Sequence, residues 1–320
     1  MRSEQPRHSK KALLVGLTLF GLLAFLLRFA PEHIAGCYDV EFRHRLSKLT
    51  QRVQPGQSYQ LLLGTSRIAY GVRPSAMGVV QSPYFNFGLP ARGSVESCLV
   101  LERLLQLGYR PSRLIIEFWW PLFAPDRDTR DWGPILSLAE RRQLAKWRAK
   151  PQPSAWEGWQ GDLDWPIRLL CPGLEPAYDT LRVDCDNWGY TLEDRQVIGA
   201  EAQEAARRAR VSHLKNLPQL GQDPLYGRAL SQLIATAKRE NIPIVGLRGP
   251  QSDDYSSGYT PQQKSQIDQF YRNWASQFEG WIDAQTWGEN EDFFDGVHLN
   301  RDSVDRFSAW LGERLKTENR

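Results

Sequence analysis

The stretch Tyr59-Gln-Leu-Leu-Leu-Gly64-Thr65-Ser66-Arg67 contains the pattern that decides the fold. A short apolar run ends in glycine and is followed at once by turn-forming residues, which is typical of a buried strand that leads into a helix. Similar strands and amphipathic helices alternate along much of the remaining chain. The predicted strands are Tyr59–Gly64, Tyr84–Gly88, Arg113–Trp119, Ile242–Leu247 and Gly280–Asp283, and the predicted helices are Ile68–Met77, Ser94–Leu107, Leu225–Glu240, Pro261–Gln277 and Asp302–Lys316.

This alternation predicts an α/β domain over residues 59–320. Strands that alternate with helices favour a parallel sheet covered on both faces. Right-handed crossovers then lead to a flavodoxin-like three-layer sandwich. In such folds ligands bind beyond the carboxyl ends of the strands, so we expect the functional residues at that edge.

The segment 121–218 interrupts the alternation and is interpreted as an insertion near the site. It is rich in Pro, Gly and Trp, with helices predicted only at Ser137–Lys150 and Leu192–His213. Its tryptophans could fill a small accessory core or line an acyl or sugar groove. They are Trp132, Trp147, Trp156, Trp159, Trp165 and Trp188.

The overall composition excludes two broad classes of protein. The 320 residues include 40 Lys and Arg against 37 Asp and Glu, a net charge of +3, with no concentrated basic stripe. A nucleic-acid-binding protein is therefore not expected. The mean hydropathy of −0.49 excludes a transporter with many membrane spans.

The N-terminal 30 residues predict a membrane anchor. A basic flank precedes an apolar run over residues 12–30, which as a helix is close to the hydrocarbon thickness of a bilayer. The basic flank favours a cytoplasmic N-terminus, so we expect a single-pass protein whose remaining chain is extracytoplasmic, or periplasmic. Residues 31–58 would then be a juxtamembrane linker. A cleaved signal peptide and a lipid attached to Cys37 are the alternatives.

The four cysteines are compatible with export. Cys171 and Cys185 lie in the same irregular region and could form a disulfide, whereas Cys98 is expected to be a small buried residue of a helix. No spacing of Cys and His is typical of a zinc site. We therefore expect neither a metal nor a cofactor.

Two segments contain residue types suited to nucleophilic catalysis. Ser66 stands at a strand-to-helix junction, where backbone N–H groups favour developing negative charge, although serine there is also a common helix cap. Near the other end of the chain, Asp295 and His298 precede the last helix, and a carboxylate so placed can fix the tautomer of an imidazole. His213 is expected on a helix surface.

The order of these segments resembles the SGNH/GDSL hydrolase superfamily. The resemblance rests on Ser66 after the first strand, Asn86-Phe87-Gly88 after the second, and Asp295 and His298 before the final helix. It implies that Ser66 is the nucleophile, Asp295 the orienting acid and His298 the base. With its anchor, the chain looks most like the membrane-anchored branch, which includes proteins similar to the alginate O-acetyltransferase components and the D-alanine transfer protein of teichoic acids.

Two positions depart from the family pattern. Thr65 replaces the aspartate of the usual Gly-Asp-Ser block, and Glu117-Phe118-Trp119-Trp120 stands where the family supplies an asparagine after the third strand. The resemblance implies an oxyanion hole built from backbone N–H groups of Ser66 and of Ala91 or Gly93. Arg67 is a candidate substitute for the missing asparagine, though a surface position or a salt bridge would explain it equally well.

The expected function is an extracytoplasmic serine O-acyltransferase or esterase acting on acyl groups of cell-envelope glycans. The expected partners are an acyl donor, a polysaccharide or glycan acceptor, and a membrane-bound acyltransferase. One alternative is a catalytically weakened glycan-binding or envelope-assembly protein, and another is a lysophospholipase-like lipid esterase.

Overall fold

A computed structural model describes residues 15–16, 18–22, 40–78, 80–90, 92–123, 140, 143–144, 146–147, 185–191, 195–221 and 224–318. The chain divides into two compact units. The first comprises Met1–Asp39, Asp131–Ala145 and Lys150–Thr180, and its described residues include short helical pieces at 15–16 and 18–22. The second comprises Val40–Arg130, Lys146–Ala149 and Leu181–Arg320 and contains the sheet described below.

The second unit is built on a five-stranded sheet in which every pair of neighbouring strands is parallel. The spatial order is β2-β1-β3-β4-β5, the order of flavodoxin-like folds. The chain moves from β1 to one side and then returns to add β3 on the other, so the order reverses between β1 and β3. The strands are β1 (Gln60–Leu63), β2 (Tyr84–Asn86), β3 (Arg113–Glu117), β4 (Ile244–Arg248) and β5 (Gly280–Asp283).

Helices connect the strands and complete a mixed α/β arrangement consistent with three layers. They are α1 (Val40–Arg52), α2 (Ser66–Gly71), α3 (Ser94–Gln106), α4 (Ala200–Leu214), α5 (Pro224–Arg239), α6 (Asp253–Ser256), α7 (Pro261–Ala275) and α8 (Arg301–Thr317). Short 3-10 turns occur at Pro74–Ala76, Trp120–Phe123, Leu217–Gln219 and Asn290–Asp292. The predicted α/β class with a parallel sheet is confirmed.

The core covers both faces of the sheet. Leu62 and Ile115 belong to one buried cluster with Phe307 and Leu311 of α8. Leu61 and Ile116 point to the opposite face because successive strand residues alternate, and they are buried just as completely. This burial on both faces explains the nearly continuous apolar sequences of the strands.

Residues 40–52 form a helix of the α/β unit, where the sequence analysis placed a linker. Phe42, Arg45 and Leu49 follow one another on one face of α1, and all three are buried. The Arg45 guanidinium donates hydrogen bonds to the carbonyl of Gly189 and the hydroxyl of Thr191. An arginine within this face concealed its amphipathic character, and the α/β unit begins at Val40 rather than at Tyr59.

Two predicted helices are shorter than expected. The helix predicted over Ile68–Met77 ends at Gly71, because Pro74 disfavours helical backbone at the residue before it and starts a separate 3-10 turn. The helix predicted from Leu192 begins at Ala200, after Gly199 adopts a φ of +67°. Cys98 is fully buried within α3, as predicted.

Several predictions fall outside the described residues. These include most of the apolar run 12–30, as well as Cys37, Cys171 and four of the six insertion tryptophans. The pairing of Cys171 with Cys185 therefore stays a prediction. Within the described part of the chain, no helix combines the length and the apolar character that crossing a bilayer requires.

Candidate active site

Ser66 is the first residue of α2, directly beyond the carboxyl end of β1. The Thr65 hydroxyl caps this helix by accepting from the N–H of Arg67 at 3.1 Å. Gly64 makes the turn possible because a Cβ there would lie 2.6 Å from Ile68 Cγ1 and 2.8 Å from Glu117 Oε2. The glycine therefore lets β1 and α2 approach closely enough to present Ser66.

Asp295 and His298 lie on a tight turn between β5 and α8. Phe293 and Leu299 form an antiparallel bridge across it, and the N–H of Phe294 donates to the carbonyl of His298 at 3.1 Å. Gly296 at the tip has a φ of +84°, and a Cβ there would lie 2.7 Å from the Cβ of Ala206. The turn therefore requires glycine for both its backbone conformation and its packing.

The structure brings Ser66, His298 and Asp295 into one hydrogen-bonded chain. Ser66 Oγ lies 2.7 Å from His298 Nε2, and His298 Nδ1 lies 2.8 Å from Asp295 Oδ2. An ionised carboxylate can only accept, so Nδ1 carries the proton and Nε2 accepts from the serine hydroxyl. The side chains of His298 and Asp295 remain 18% and 25% exposed, which leaves the site within reach of a substrate.

The environment of Asp295 keeps its carboxyl ionised. Burial by itself raises the pKa of this group. The electrostatic attraction to the His298 ring and the hydrogen bonds from His298 and Val297 outweigh that effect, so the pKa of Asp295 lies below its ordinary value of 3.8. A carboxylate that stays charged can hold the imidazole in one tautomer and stabilise it when it takes up a proton.

Two aromatic rings lie next to the imidazole of His298. The Phe294 ring stacks on the His298 ring with centroids 5.5 Å apart and planes inclined by 10°, and the Tyr70 ring lies 6.3 Å away. The Arg195 guanidinium lies over Phe294, 5.4 Å from its ring centre. These contacts restrict the rotation of the His298 ring.

The predicted oxyanion donors differ in whether their N–H groups are available to a substrate. The N–H of Ser66 has no acceptor among the described residues and belongs to the first residue of α2, where a developing negative charge is favoured. The N–H of Gly93 instead donates to Glu96 Oε2 at 2.8 Å, which caps α3, so it is not available as predicted. Ala91 lies outside the described residues.

Arg67 does not replace the missing asparagine. Its side chain is only 2% exposed, and its Nη2 donates to the carbonyl of Pro250 at 2.6 Å. Its Nη1 lies 3.5 Å from Glu117 Oε1, and its guanidinium lies over the Trp119 ring. The salt-bridge interpretation of Arg67 is therefore correct, and the guanidinium lies inside the protein rather than in an oxyanion hole.

Glu117 is the residue that sequence reasoning missed. Its carboxylate is fully buried, and its Oε2 accepts from the N–H of Thr65 at 3.0 Å. The signal was present in the sequence, because a glutamate that follows the apolar residues Leu114, Ile115 and Ile116 of a strand needs a buried partner. The family pattern has an asparagine near this position, and a comparison with that pattern shows only that the asparagine is absent.

Asn86 and Gly88 support the helix that begins with Ser66. The buried Asn86 amide donates to the carbonyls of Ile68 and Val72 at 2.7 Å and 2.6 Å, and its Oδ1 accepts from the N–H of Gly88. A Cβ on Gly88 would lie 2.5 Å from the backbone nitrogen of Ala69. Both residues position α2 on β2 and are structural rather than reactive.

His213 is buried, contrary to the expected surface position. Its Nδ1 forms a 2.8 Å hydrogen bond with the Tyr255 hydroxyl, and its ring meets the Trp119 ring edge-on at 4.5 Å. The helix α4 turns this residue toward the protein because Ala202 and Ala206 lie on the same buried face. In the described ranges, no group of three or more His, Cys, Asp and Glu side chains is arranged to hold a metal ion.

Neither a protein-family model nor a curated protein matches this sequence. The assignment of a function therefore depends on the arrangement of Ser66, His298 and Asp295 at the carboxyl edge of the sheet.

Proposed function

We propose that this chain is a serine O-acyltransferase or esterase that works through an acyl-Ser66 intermediate. The observation that carries the proposal is the hydrogen-bonded chain from Ser66 Oγ through His298 to Asp295, with distances of 2.7 Å and 2.8 Å. Nucleophile, base and orienting acid in this arrangement are the requirements for activating a serine hydroxyl. The resemblance to the SGNH/GDSL superfamily supports the same roles.

The first half of the reaction transfers an acyl group to the serine. His298 Nε2 takes the hydroxyl proton of Ser66 as Oγ attacks an ester or thioester carbonyl. The N–H of Ser66 donates to the oxyanion that forms on the carbonyl oxygen. As the tetrahedral intermediate collapses, the bond to the leaving group breaks, and the leaving oxygen or sulfur receives the proton from His298.

The second half removes the acyl group from Ser66. A sugar hydroxyl or a water molecule loses its proton to His298 as it attacks the acyl carbonyl. The Ser66 oxygen then leaves and recovers the proton, so the enzyme returns to its starting state. A sugar acceptor makes the protein a transferase, and water makes it an esterase.

The proposed location is the outer side of a membrane. The basic flank and apolar run of residues 12–30 favour a single anchor with a cytoplasmic N-terminus. An anchored domain suits an acyl donor delivered by a membrane-bound acyltransferase and an acceptor among the glycans of the cell envelope.

A second candidate is a binding or assembly protein with a weakened site. The observation that favours it is Glu117, since a carboxylate stands at the end of the third strand, where an amide donor would help stabilise an oxyanion. A missing donor typically costs a factor of roughly 100 to 1,000 in rate.

Labelling of the full-length protein in detergent with a fluorophosphonate separates the two candidates. We expect the wild type to be labelled at Ser66 and Ser66→Ala to remain unlabelled, with an unchanged circular dichroism spectrum. A folded wild type that resists labelling would favour the binding protein. Release of acetate rather than fatty acid from mixed ester substrates would support glycan acyl groups over lipids.

A further inference from the structure

A single buried carboxylate contacts both chain neighbours of Ser66. Glu117 Oε2 accepts from the N–H of Thr65 at 3.0 Å, and Glu117 Oε1 lies 3.5 Å from Nη1 of Arg67. The serine itself is not bound by Glu117. The residues before and after it are therefore tied to the same strand end, which restricts the turn that presents the serine hydroxyl.

The backbone comes close to both members of this ion pair. A Cβ on Gly64 would lie 2.8 Å from Glu117 Oε2, and a Cβ on Gly249 would lie 2.6 Å from Arg67 Nη2. The carbonyl of Pro250 accepts a 2.6 Å hydrogen bond from the same guanidinium. Two separate strand ends thus approach the pair at distances that only glycine allows.

Stability alone is a poor explanation for two charges in this place. Desolvation of a buried ion pair commonly offsets its attraction, and an apolar pair of similar size is often as stable or more stable. A lone carboxylate bonded to the N–H of Thr65, the residue before Ser66, would also oppose a developing oxyanion. The guanidinium of Arg67 on the other carboxylate oxygen offsets that charge.

We propose that Glu117 is a positioning residue, which holds Ser66 in register with His298 by binding both of its neighbours. Arg67 is the counter-charge that permits a carboxylate to perform this task beside an oxyanion. The inference rests on the acyl chemistry proposed above. It explains how the site operates with a glutamate where the resembling family has an asparagine.

The proposal is tested by the rate at which a fluorophosphonate labels four variants of the full-length protein. They are Arg67→Met, Glu117→Gln, the double variant that combines these two changes, and the control Arg113→Met. We expect Arg67→Met, which leaves Glu117 uncompensated, to label on the order of 100-fold more slowly than the wild type. Adding Glu117→Gln should recover at least about tenfold, because the amide oxygen still accepts from Thr65 while the charge is gone. Glu117→Gln alone should lie between the wild type and Arg67→Met.

Arg113→Met is the matched control. This arginine begins the strand that Glu117 ends, and it too is buried, with Nη1 donating to the carbonyl of Leu315 at 3.0 Å. We expect it to lower the melting temperature while labelling at the wild-type rate. The proposal is overturned if Arg67→Met labels as fast as the wild type, or if the double variant is no faster than Arg67→Met.

A crystal structure decides the positioning role even if the wild type is never labelled. In Glu117→Leu/Arg67→Met an apolar pair replaces the ion pair, so we expect the protein to fold. The hydrogen bond from the N–H of Thr65 to residue 117 is lost in this variant. We expect Ser66 Oγ to move out of hydrogen-bond reach of His298 Nε2. An unchanged separation of 2.7 Å would refute the positioning role, whereas absent labelling of the wild type would refute the proposed function.

Discussion

Two hydrogen bonds connect His298 to the carboxylate of Asp295. Asp295 Oδ2 lies 2.8 Å from the imidazole Nδ1, and Asp295 Oδ1 accepts from the backbone N–H of His298 at 2.9 Å. A second backbone donor, the N–H of Val297, lies 3.1 Å from the same Oδ1. The carboxylate is thus oriented by the turn it belongs to, and it in turn orients the ring.

Replacement of this carboxylate should remove most of the reactivity of Ser66. In Asp295→Asn the amide N–H faces Nδ1, so the ring takes the tautomer with a proton on Nε2 and cannot accept from the serine. We expect the labelling rate to fall roughly 10⁴-fold. The control is Asp305→Asn, which removes an exposed carboxylate paired with Arg73 at 2.7 Å and should leave the rate unchanged. A loss of less than about tenfold in Asp295→Asn would contradict the role of Asp295.

Asp295 should also make the stability of the fold depend on pH. Its pKa in the folded protein lies below the ordinary value of 3.8, so the unfolded chain binds its proton first as the pH falls. The stabilisation is therefore complete above about pH 5 and is lost as the pH falls through the lowered pKa. The melting temperatures of the wild type and Asp295→Asn should converge in that acidic range. A difference that stays constant down to about pH 3 would show that the ionised carboxylate contributes nothing to folding.

Gly296→Ala should damage the turn that holds Asp295 and His298. The residue needs both a φ of +84° and space, since a Cβ would lie 2.7 Å from Ala206 and 2.8 Å from Tyr255. The matched control is Gly56→Ala, which has the same φ with nothing within 4 Å of the added Cβ. In urea denaturation we expect the control to lose about 1 kcal/mol and Gly296→Ala to lose more, together with labelling. Equal losses would mean that packing at Gly296 is unimportant.

Asn86→Asp should destabilise the helix that begins with Ser66. The buried amide nitrogen donates to the carbonyls of Ile68 and Val72, and a carboxylate oxygen in its place would face both acceptors without a proton. We expect a loss of about 3 kcal/mol in the free energy of unfolding. Asn273→Asp on the exposed face of α7 should change it by less than about 0.5 kcal/mol. A similar result for the two variants would remove Asn86 from the support of α2.

The strands β1 to β4 were predictable because burial on both faces leaves short, mainly apolar runs. All five predicted strands overlap the observed ones, with no end displaced by more than two residues. Helix ends were less predictable where proline or a positive φ intervened, as at Pro74 and Gly199. The helix α1 was missed because Arg45 sits in the middle of its buried face.

The candidate site, like the fold, could be predicted from the sequence only in part. Ser66, Asp295 and His298 could be selected from their place at element junctions. The donors around them could not, because the same N–H group can serve a substrate or cap a helix, as Gly93 does with Glu96. The role of Glu117 depends on which backbone its carboxylate reaches, and spacing along the chain carries no information about that contact.

The amino-acid sequence by itself determined the α/β class, the strand positions and the residue types available for chemistry, because these follow from local patterns of apolar, turn-forming and titratable residues. Only the tertiary structure decided that Ser66 and His298, 232 positions apart, meet at 2.7 Å, and that Glu117 and Arg67 lie buried beside the serine. The reason is geometric. Contacts between distant segments depend on strand order and close backbone approach, and both are properties of the packed chain rather than of any one segment.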